Sequence, residues 1–157
     1  MKKPFWKKER NGSVTTPLGF IANGLHAGIK KKKKRYDVSL TYSKTPCVAA
    51  GTFTTNRAKA WPVLHSMKAI NASKHHAILG TSGNANCLNG PIGKKAVDEL
   101  IWETAKHLDV LPSEVLIAQT GIIGVPFPIT VLEIVRFAAG SAAAELMLSA
   151  DCTEVPT

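Results

Sequence analysis

Apolar and polar residues follow a helical period in one long segment of this chain. Between residues 93 and 108, mostly apolar residues recur three or four positions apart and mark a single face. These residues are Val97, Leu100, Ile101, Thr104 and Leu108. The pattern predicts an amphipathic helix over 93–108. A second helix is predicted to begin near Pro128, because proline suits a first helical turn, and to break at Gly140-Ser141.

Shorter apolar runs without this period predict strands. They lie at residues 20–29, 36–42, 47–55, 77–81 and 114–118. Residues 60–67 have an irregular or short helical pattern. Strands that alternate with helices favour a layered α/β domain. A dinucleotide-binding fold is not predicted, because no Gly-x-Gly-x-x-Gly sequence occurs.

The stretch Gln119-Thr120-Gly121-Ile122-Ile123-Gly124-Val125-Pro126 links the strand at 114–118 to the second predicted helix. Glycine lets the backbone approach a ligand closely and adopt a positive φ. Unpaired N–H groups at such a bend can point at one negative charge. We therefore hypothesise that Thr120 and Gly121 form an oxyanion hole for acyl transfer. On spacing alone, a turn whose glycines serve only packing is the better-supported interpretation, because Thr-Gly-x-x-Gly is short and degenerate.

A second segment of small polar residues follows the strand predicted at 77–81. Its sequence is Ser82-Gly83-Asn84-Ala85-Asn86-Cys87. Asparagine tolerates a left-handed backbone, and its amide binds neighbouring main-chain groups. Two interpretations remain open: a polar loop beside Thr120, or a plain asparagine turn, which is the more common structure.

The composition fits one domain. The chain has 157 residues, of which 45% are hydrophobic, enough to form a core. We predict a basic flexible lead-in over residues 1–11, an α/β domain over 12–150 and an irregular tail over 151–157. Aromatic residues make up only 6%, so aliphatic side chains must fill most of that core.

The net charge of +9 is concentrated in two segments. Of 20 basic residues, five lie within residues 1–10 and six form the unbroken run 30–35. That run separates two predicted strands, where a charged hairpin tip is common. It has no accompanying RNA-binding motif and few aromatic neighbours, so nucleic acid is disfavoured as a partner.

Other classes of protein are disfavoured by what the sequence lacks. Three widely spaced cysteines without a Cys-x-x-Cys pair favour a reducing compartment. No apolar run approaches the roughly 18 residues that span a bilayer, and the basic N-terminus is not a secretory signal. We therefore expect a cytoplasmic protein with no membrane partner. No metal site is expected, because the adjacent pair His75-His76 points to opposite faces of a strand.

Four stretches together resemble the N-terminal part of the glutamate N-acetyltransferase family of arginine biosynthesis, also called ornithine acetyltransferases. They are residues 14–20 with Gly28-Ile29-Lys30, residues 49–57, residues 82–86 and residues 119–126. Their order and spacing over most of residues 12–128 make the match specific. A variant of the family from clavulanic acid gene clusters is equally similar, so the resemblance leaves the acetyl acceptor open.

The resemblance implies an acetyltransferase made from a precursor that cuts its own backbone before a threonine. That threonine becomes the N-terminal nucleophile of a second, β chain. It takes acetyl from N-acetylornithine and passes it to glutamate through an acetyl-enzyme. The implied fold is the layered α/β sandwich of self-cleaving ornithine acetyltransferases and DmpA-like aminopeptidases, incomplete without the β chain. The implied assembly is an α2β2 heterotetramer without a cofactor, although some members use acetyl-CoA as acetyl donor.

The resemblance also implies site residues. The family's oxyanion pair matches Thr120, through its hydroxyl, and Gly121, through its backbone N–H. A substrate-binding threonine of the family matches Ser149 in Leu148-Ser149-Ala150-Asp151, which keeps a hydroxyl.

Two departures from the family leave alternatives open. The self-cleaving segment, Asn-Met-Ala-Thr-Met-Leu in the family, does not occur here, so the nucleophile is expected on another chain. The segment 152–157 also diverges. The chain is therefore interpreted as an α-chain-like part that is inactive alone, or as a non-catalytic remnant or assembly module of the same fold. An aminopeptidase of the related self-cleaving class would share the mechanism.

Overall fold

The computed structural model describes residues 10–31 and 35–128. Four strands and two α-helices follow in the order β1 (Phe20–Leu25), β2 (Val38–Cys47), α1 (Trp61–Ala69), β3 (His75–Asn84), α2 (Gly90–Leu108) and β4 (Val115–Ile122). A 3-10 turn at Pro112–Glu114 precedes β4. The second helix predicted from Pro128 onward lies outside the described residues.

The strands form one sheet in the order β1-β2-β3-β4. The pairs β1–β2 and β2–β3 are antiparallel, whereas β3 and β4 are parallel. Parallel neighbours need a crossover connection, which α2 provides. The predicted α/β class is therefore confirmed. Lys30, Lys31 and Arg35, the described residues of the basic run, lie between β1 and β2, which pair antiparallel.

The core lies on the side of the sheet where both helices pack. Alternate strand residues face it, and the fully buried ones include Val38, Leu40, Leu79, Val115 and Ile117. The helix α2 contributes the predicted face, since Val97, Leu100, Ile101, Thr104 and Leu108 are all buried. This agreement follows from the helical period, because only one face of a surface helix needs to be apolar.

The opposite face of the sheet is open over the described part of the chain. Ile78 on β3 is 50% exposed, and Ser39 and Ala118 are exposed on the strands at either side of β3. No helix of residues 10–31 and 35–128 packs on this face, which carries small and apolar residues.

The strand predictions at 20–29 and 47–55 were too long, whereas β2, β3 and β4 extend past residues 42, 81 and 118. Thr120 and Gly121 therefore lie within β4 and not in a turn that follows it. Residues 48–55 contain no strand, and only Cys47 of the predicted segment belongs to β2. β-branched residues favour a strand only where a neighbouring strand can pair with them, and this segment lies beyond the paired part of β2. The first strand ends at Leu25, because the N–H groups of Ala27 and Lys30 bind the Asp37 carboxylate instead of continuing the ladder.

Glu114 is a buried carboxylate at the start of β4. Its side chain lies 3.1 Å from the Lys74 ammonium and accepts a hydrogen bond from the Leu111 N–H at 3.2 Å. Burial alone raises the pKa of Glu114, but the Lys74 and Leu111 contacts, with the charge of His76, outweigh it and lower the pKa below its ordinary 4.5. A carboxylate with a lowered pKa stabilises the fold above its unfolded-state pKa.

We expect Glu114→Gln to lower the free energy of unfolding by about 1 kcal/mol at pH 7, because Lys74 is half exposed and its charge is screened. The difference from the wild type should shrink as the pH falls through the lowered pKa of Glu114. Urea unfolding between pH 7 and pH 3 measures it. Asp98→Asn is the control, since the Lys94–Asp98 pair is exposed on both sides. Equal losses for the two variants at every pH would contradict the assignment.

Candidate functional site

The two segments singled out in the sequence meet at the carboxyl end of the parallel pair. In the register of β3 and β4, Ser82 lies opposite Thr120 and Gly83 lies opposite Gly121. Parallel strands end at the same edge of a sheet, where open α/β sheets usually bind ligands. The structure therefore places the polar loop after β3 beside Thr120, which is one of the two interpretations that the sequence left open.

Gly121 has to be glycine at this position. Its φ is +133°, and an added Cβ would lie 2.3 Å from the carbonyl carbon of Gly83 and 2.5 Å from the nitrogen of Asn84. No side chain fits such a close approach between two backbones. Packing therefore explains why residue 121 carries no side chain. It does not explain the role of the Gly121 N–H.

The direction of the Gly121 N–H follows from the pattern of hydrogen bonds along β4. Ile117 donates its N–H to the Ser66 hydroxyl at 2.9 Å and accepts from it at 2.7 Å, so both groups face away from β3. Ile122 instead faces β3, since its carbonyl accepts from the Ala85 N–H at 2.9 Å. Directions alternate along a strand. Gly121 lies four positions after Ile117, and its N–H therefore points away from β3, toward the outer edge of β4.

Thr120 lies on the open face. Its side chain is exposed, and together with Gly24, Ser39, Gly80 and Ser82 it lines a cavity of about 370 Å³ over the sheet. Within residues 10–31 and 35–128, the Thr120 hydroxyl has no hydrogen-bond partner. A hydroxyl and a backbone N–H on consecutive residues are thus both available at the end of β4.

Asparagine side chains hold the loop that follows Thr120 and Gly121. Asn84 donates to the carbonyls of Val125 and Pro126 at 3.0 and 3.2 Å, and Asn89 donates to Val125 at 2.8 Å. The Asn84 side chain also accepts from the Asn86 N–H at 2.7 Å, which is an asparagine turn. Both interpretations of this segment therefore hold, because the turn and the placement of the loop use the same residues.

A buried network continues beneath the sheet from Asn86, which is fully buried. Its amide donates to the Gly93 carbonyl at 2.9 Å and to the Gln119 side chain at 3.3 Å, and Gln119 donates to the Thr81 hydroxyl at 3.0 Å. Gln119 directly precedes Thr120. The sequence contained no signal for this network, because Gln119 is 33 residues away from Asn86 and 38 residues away from Thr81.

We expect Asn86→Ala to lower the free energy of unfolding by about 2–3 kcal/mol, since it leaves buried polar partners unsatisfied. Urea unfolding measures the loss. Asn71→Ala is the control, because Asn71 binds only nearby backbone carbonyls and is exposed. The control should lose at most about 0.5 kcal/mol. A loss as small for Asn86→Ala would show that the network does not stabilise the loop.

Ser149 and the histidines are the remaining candidate residues. Ser149 lies outside the described residues, so its predicted role in substrate binding stays a prediction. Of the histidines, His65 and His75 contact the carbonyls of Val115 and Ala69 at 3.1 and 3.0 Å. Across residues 10–31 and 35–128, no group of three or more His, Cys, Asp or Glu residues could hold a metal ion. Over the same residues, no helix is long and apolar enough to cross a membrane.

The sequence model of the ArgJ family matches residues 21–154, which is most of the chain. The chain belongs to the ArgJ family. The arginine biosynthesis bifunctional protein ArgJ 1 of Clostridium acetobutylicum is 47% identical over 119 residues, which is 76% of this chain and 29% of that protein. ArgJ of Dehalococcoides mccartyi is 46% identical over 120 residues, covering 76% and 30% of the two chains.

Solved ArgJ-family structures have the same fold. Ornithine acetyltransferase of Mycobacterium tuberculosis, solved in complex with ornithine, superposes with a TM-score of 0.79 at 33% identity, over 83% of this chain and 71% of that chain. ArgJ of Bacillus halodurans superposes with a TM-score of 0.76 at 29% identity, over 80% and 65% of the two chains. The family resemblance and the α/β fold class are both confirmed.

This ArgJ-family chain corresponds to only a part of its relatives. It spans about a third of the length of the curated relatives that it matches, from 29% of the Clostridium acetobutylicum protein to 37% of the Gloeobacter violaceus protein.

Proposed function

We propose that this chain is the α-chain part of an ArgJ acetyltransferase that moves acetyl from N-acetylornithine to glutamate in arginine biosynthesis. The single observation that carries the proposal is a pair of donors at the end of β4 that have no partner among residues 10–31 and 35–128, in a chain of the ArgJ family. The Thr120 hydroxyl faces a cavity, and the Gly121 N–H points away from β3.

These two donors suit the transition state of acyl transfer. Attack on the amide carbonyl of N-acetylornithine places negative charge on oxygen, and preorganised donors aimed at that oxygen stabilise it. The tight pairing of Gly83 with Gly121 supports preorganisation, because the backbone at Gly121 cannot shift toward β3. Each donor of this kind contributes roughly 3–4 kcal/mol to lowering the barrier.

A β chain completes the proposed enzyme. Its N-terminal threonine would be the nucleophile, and its free α-amine, with an ordinary pKa near 8, would accept the hydroxyl proton. An acetyl-threonine intermediate would then pass acetyl to glutamate. The face around Ile78 and Ala118, which is exposed among residues 10–31 and 35–128, is compatible with such a partner, because an apolar sheet face is stabilised by a further layer. An α2β2 assembly, acetyl-CoA as an alternative donor and a cytoplasmic location belong to the same proposal.

Co-expression with the β chain of a related ArgJ tests the proposed function. We expect no acetyl transfer from N-acetylornithine to glutamate by this chain alone, and measurable transfer by the purified complex. A control complex whose β chain carries alanine in place of its N-terminal threonine should assemble and be inactive. If complexes with several ArgJ β chains assemble but none transfers acetyl, the chain is a non-catalytic remnant or assembly module of the same fold.

A further inference from the structure

Asp37 is a buried carboxylate that binds main-chain groups and does not contact the donors at the end of β4. Its side chain accepts hydrogen bonds from the Ala27 N–H at 2.5 Å and from the Lys30 N–H at 2.9 Å. The His26 ring lies 3.1 Å from the same carboxylate, and Asp37 is 2% exposed. Such an ion is costly to bury unless several donors surround it, as they do here.

The carboxylate folds the turn after β1 onto the end of β3. An added Cβ at Gly83 would lie 2.9 Å from Cγ2 of Ile29 and 3.1 Å from Cγ of Lys30, so this turn packs directly on Gly83. Gly83 in turn is in close contact with Gly121. The turn, Gly83 and Gly121 are therefore linked by direct contacts.

The main chain of Asp37 also forms hydrogen bonds with β1 and β3. Its carbonyl accepts from the Ser82 N–H at 2.8 Å, and its own N–H donates to the Leu25 carbonyl at 3.0 Å. One residue thus fixes the end of β1, the turn at 26–30 and the residue that precedes Gly83. Asp37 also lines the cavity that Thr120 faces.

We propose that Asp37 is a positioning residue for acetyl transfer, which holds the turn at 26–30 against Gly83 and thereby fixes the direction of the Gly121 N–H. The inference rests on the proposed function of the chain. Asp37 acts through the backbone and does not touch the substrate. A displacement of a donor by a fraction of an ångström weakens stabilisation of the transition state more than it weakens substrate binding.

Asp37→Asn in the complex with a β chain tests the proposal. The amide keeps the shape of the carboxylate but turns one acceptor into a donor that faces a backbone N–H. We expect kcat to fall at least about tenfold with KM changed less than twofold. Amide hydrogen exchange should become faster at residues 27 and 30, and at residues 120 and 122, whose N–H groups face β3. Thr104→Val is the matched control, since it removes one buried hydrogen bond on α2, far from the cavity.

Ile29→Ala is a second variant in case Asp37→Asn does not fold, because it removes the contact with Gly83 and leaves the carboxylate in place. It should lower kcat by a smaller factor, again with little effect on KM. The proposal is overturned if both variants keep the kcat of the wild type, or if Thr104→Val lowers kcat equally. If the wild-type complex transfers no acetyl, the proposed function fails. Unchanged exchange at residues 120 and 122 in Asp37→Asn would then also overturn the positioning role.

Discussion

Thr120→Ala lowers the kcat of acetyl transfer by the complex of this chain with a β chain at least about a hundredfold, if the hydroxyl donates to the developing oxyanion. The side chain is exposed and has no partner in the described part of the chain, so its removal should leave the stability of the fold unchanged. Steady-state kinetics with N-acetylornithine and glutamate measures the loss, and urea unfolding checks the stability.

Two matched variants test whether the loss of activity comes from the missing hydroxyl or from shortening any side chain on this face. Thr120→Ser keeps the hydroxyl and should recover most of the activity. Thr41→Ala removes a threonine side chain from the same open face, on β2, and should leave kcat within about twofold of the wild type. Activity that survives Thr120→Ala unchanged would remove this residue from the oxyanion assignment.

Gly121→Ala should lower the free energy of unfolding by about 3–5 kcal/mol, which is the largest loss of stability that we expect. The new Cβ would lie 2.3 Å from the Gly83 carbonyl carbon, and the residue would keep a φ of +133°, which is strained for any side chain. The ends of β3 and β4 should separate as a result. Denaturant unfolding measures the loss, and hydrogen exchange at Gly83 and Asn84 locates it.

Gly124→Ala is the control for this variant. Gly124 also has a positive φ, of +75°, but an added Cβ there meets nothing within 4 Å. It should therefore cost only the backbone strain, about 1 kcal/mol. A loss for Gly121→Ala as small as that of the control would mean that β3 and β4 are less tightly packed at this point than the geometry indicates.

Local patterns predicted the elements well where the local signal and the tertiary environment agree. The period of α2 identified its buried face correctly, and the apolar run at 77–81 lies within β3. The run at 47–55 failed because a strand needs a partner, which no local pattern can supply. The strand predicted at 20–29 ends at Leu25, because the N–H groups of Ala27 and Lys30 bind the Asp37 carboxylate.

The candidate site was predictable only in part. The sequence singled out Thr120 and Gly121 as a hypothesis, and the asparagine loop after β3 lies beside them, which was one of the two interpretations left open. Asp37 and Gln119 were not singled out, because their importance depends on contacts between elements. The Gln119 amide, for example, binds groups that are distant in sequence.

By itself, the sequence determined the family, the α/β class and the identity of the two residues proposed to act as donors. Tertiary structure alone decided that Thr120 faces a cavity, that the Gly121 N–H points away from β3, and that Gly83 contacts both Gly121 and the turn held by Asp37. The physical reason is that composition and periodicity are local properties. The direction of a strand's side chains and N–H groups depends on its register with neighbours that are tens of residues away.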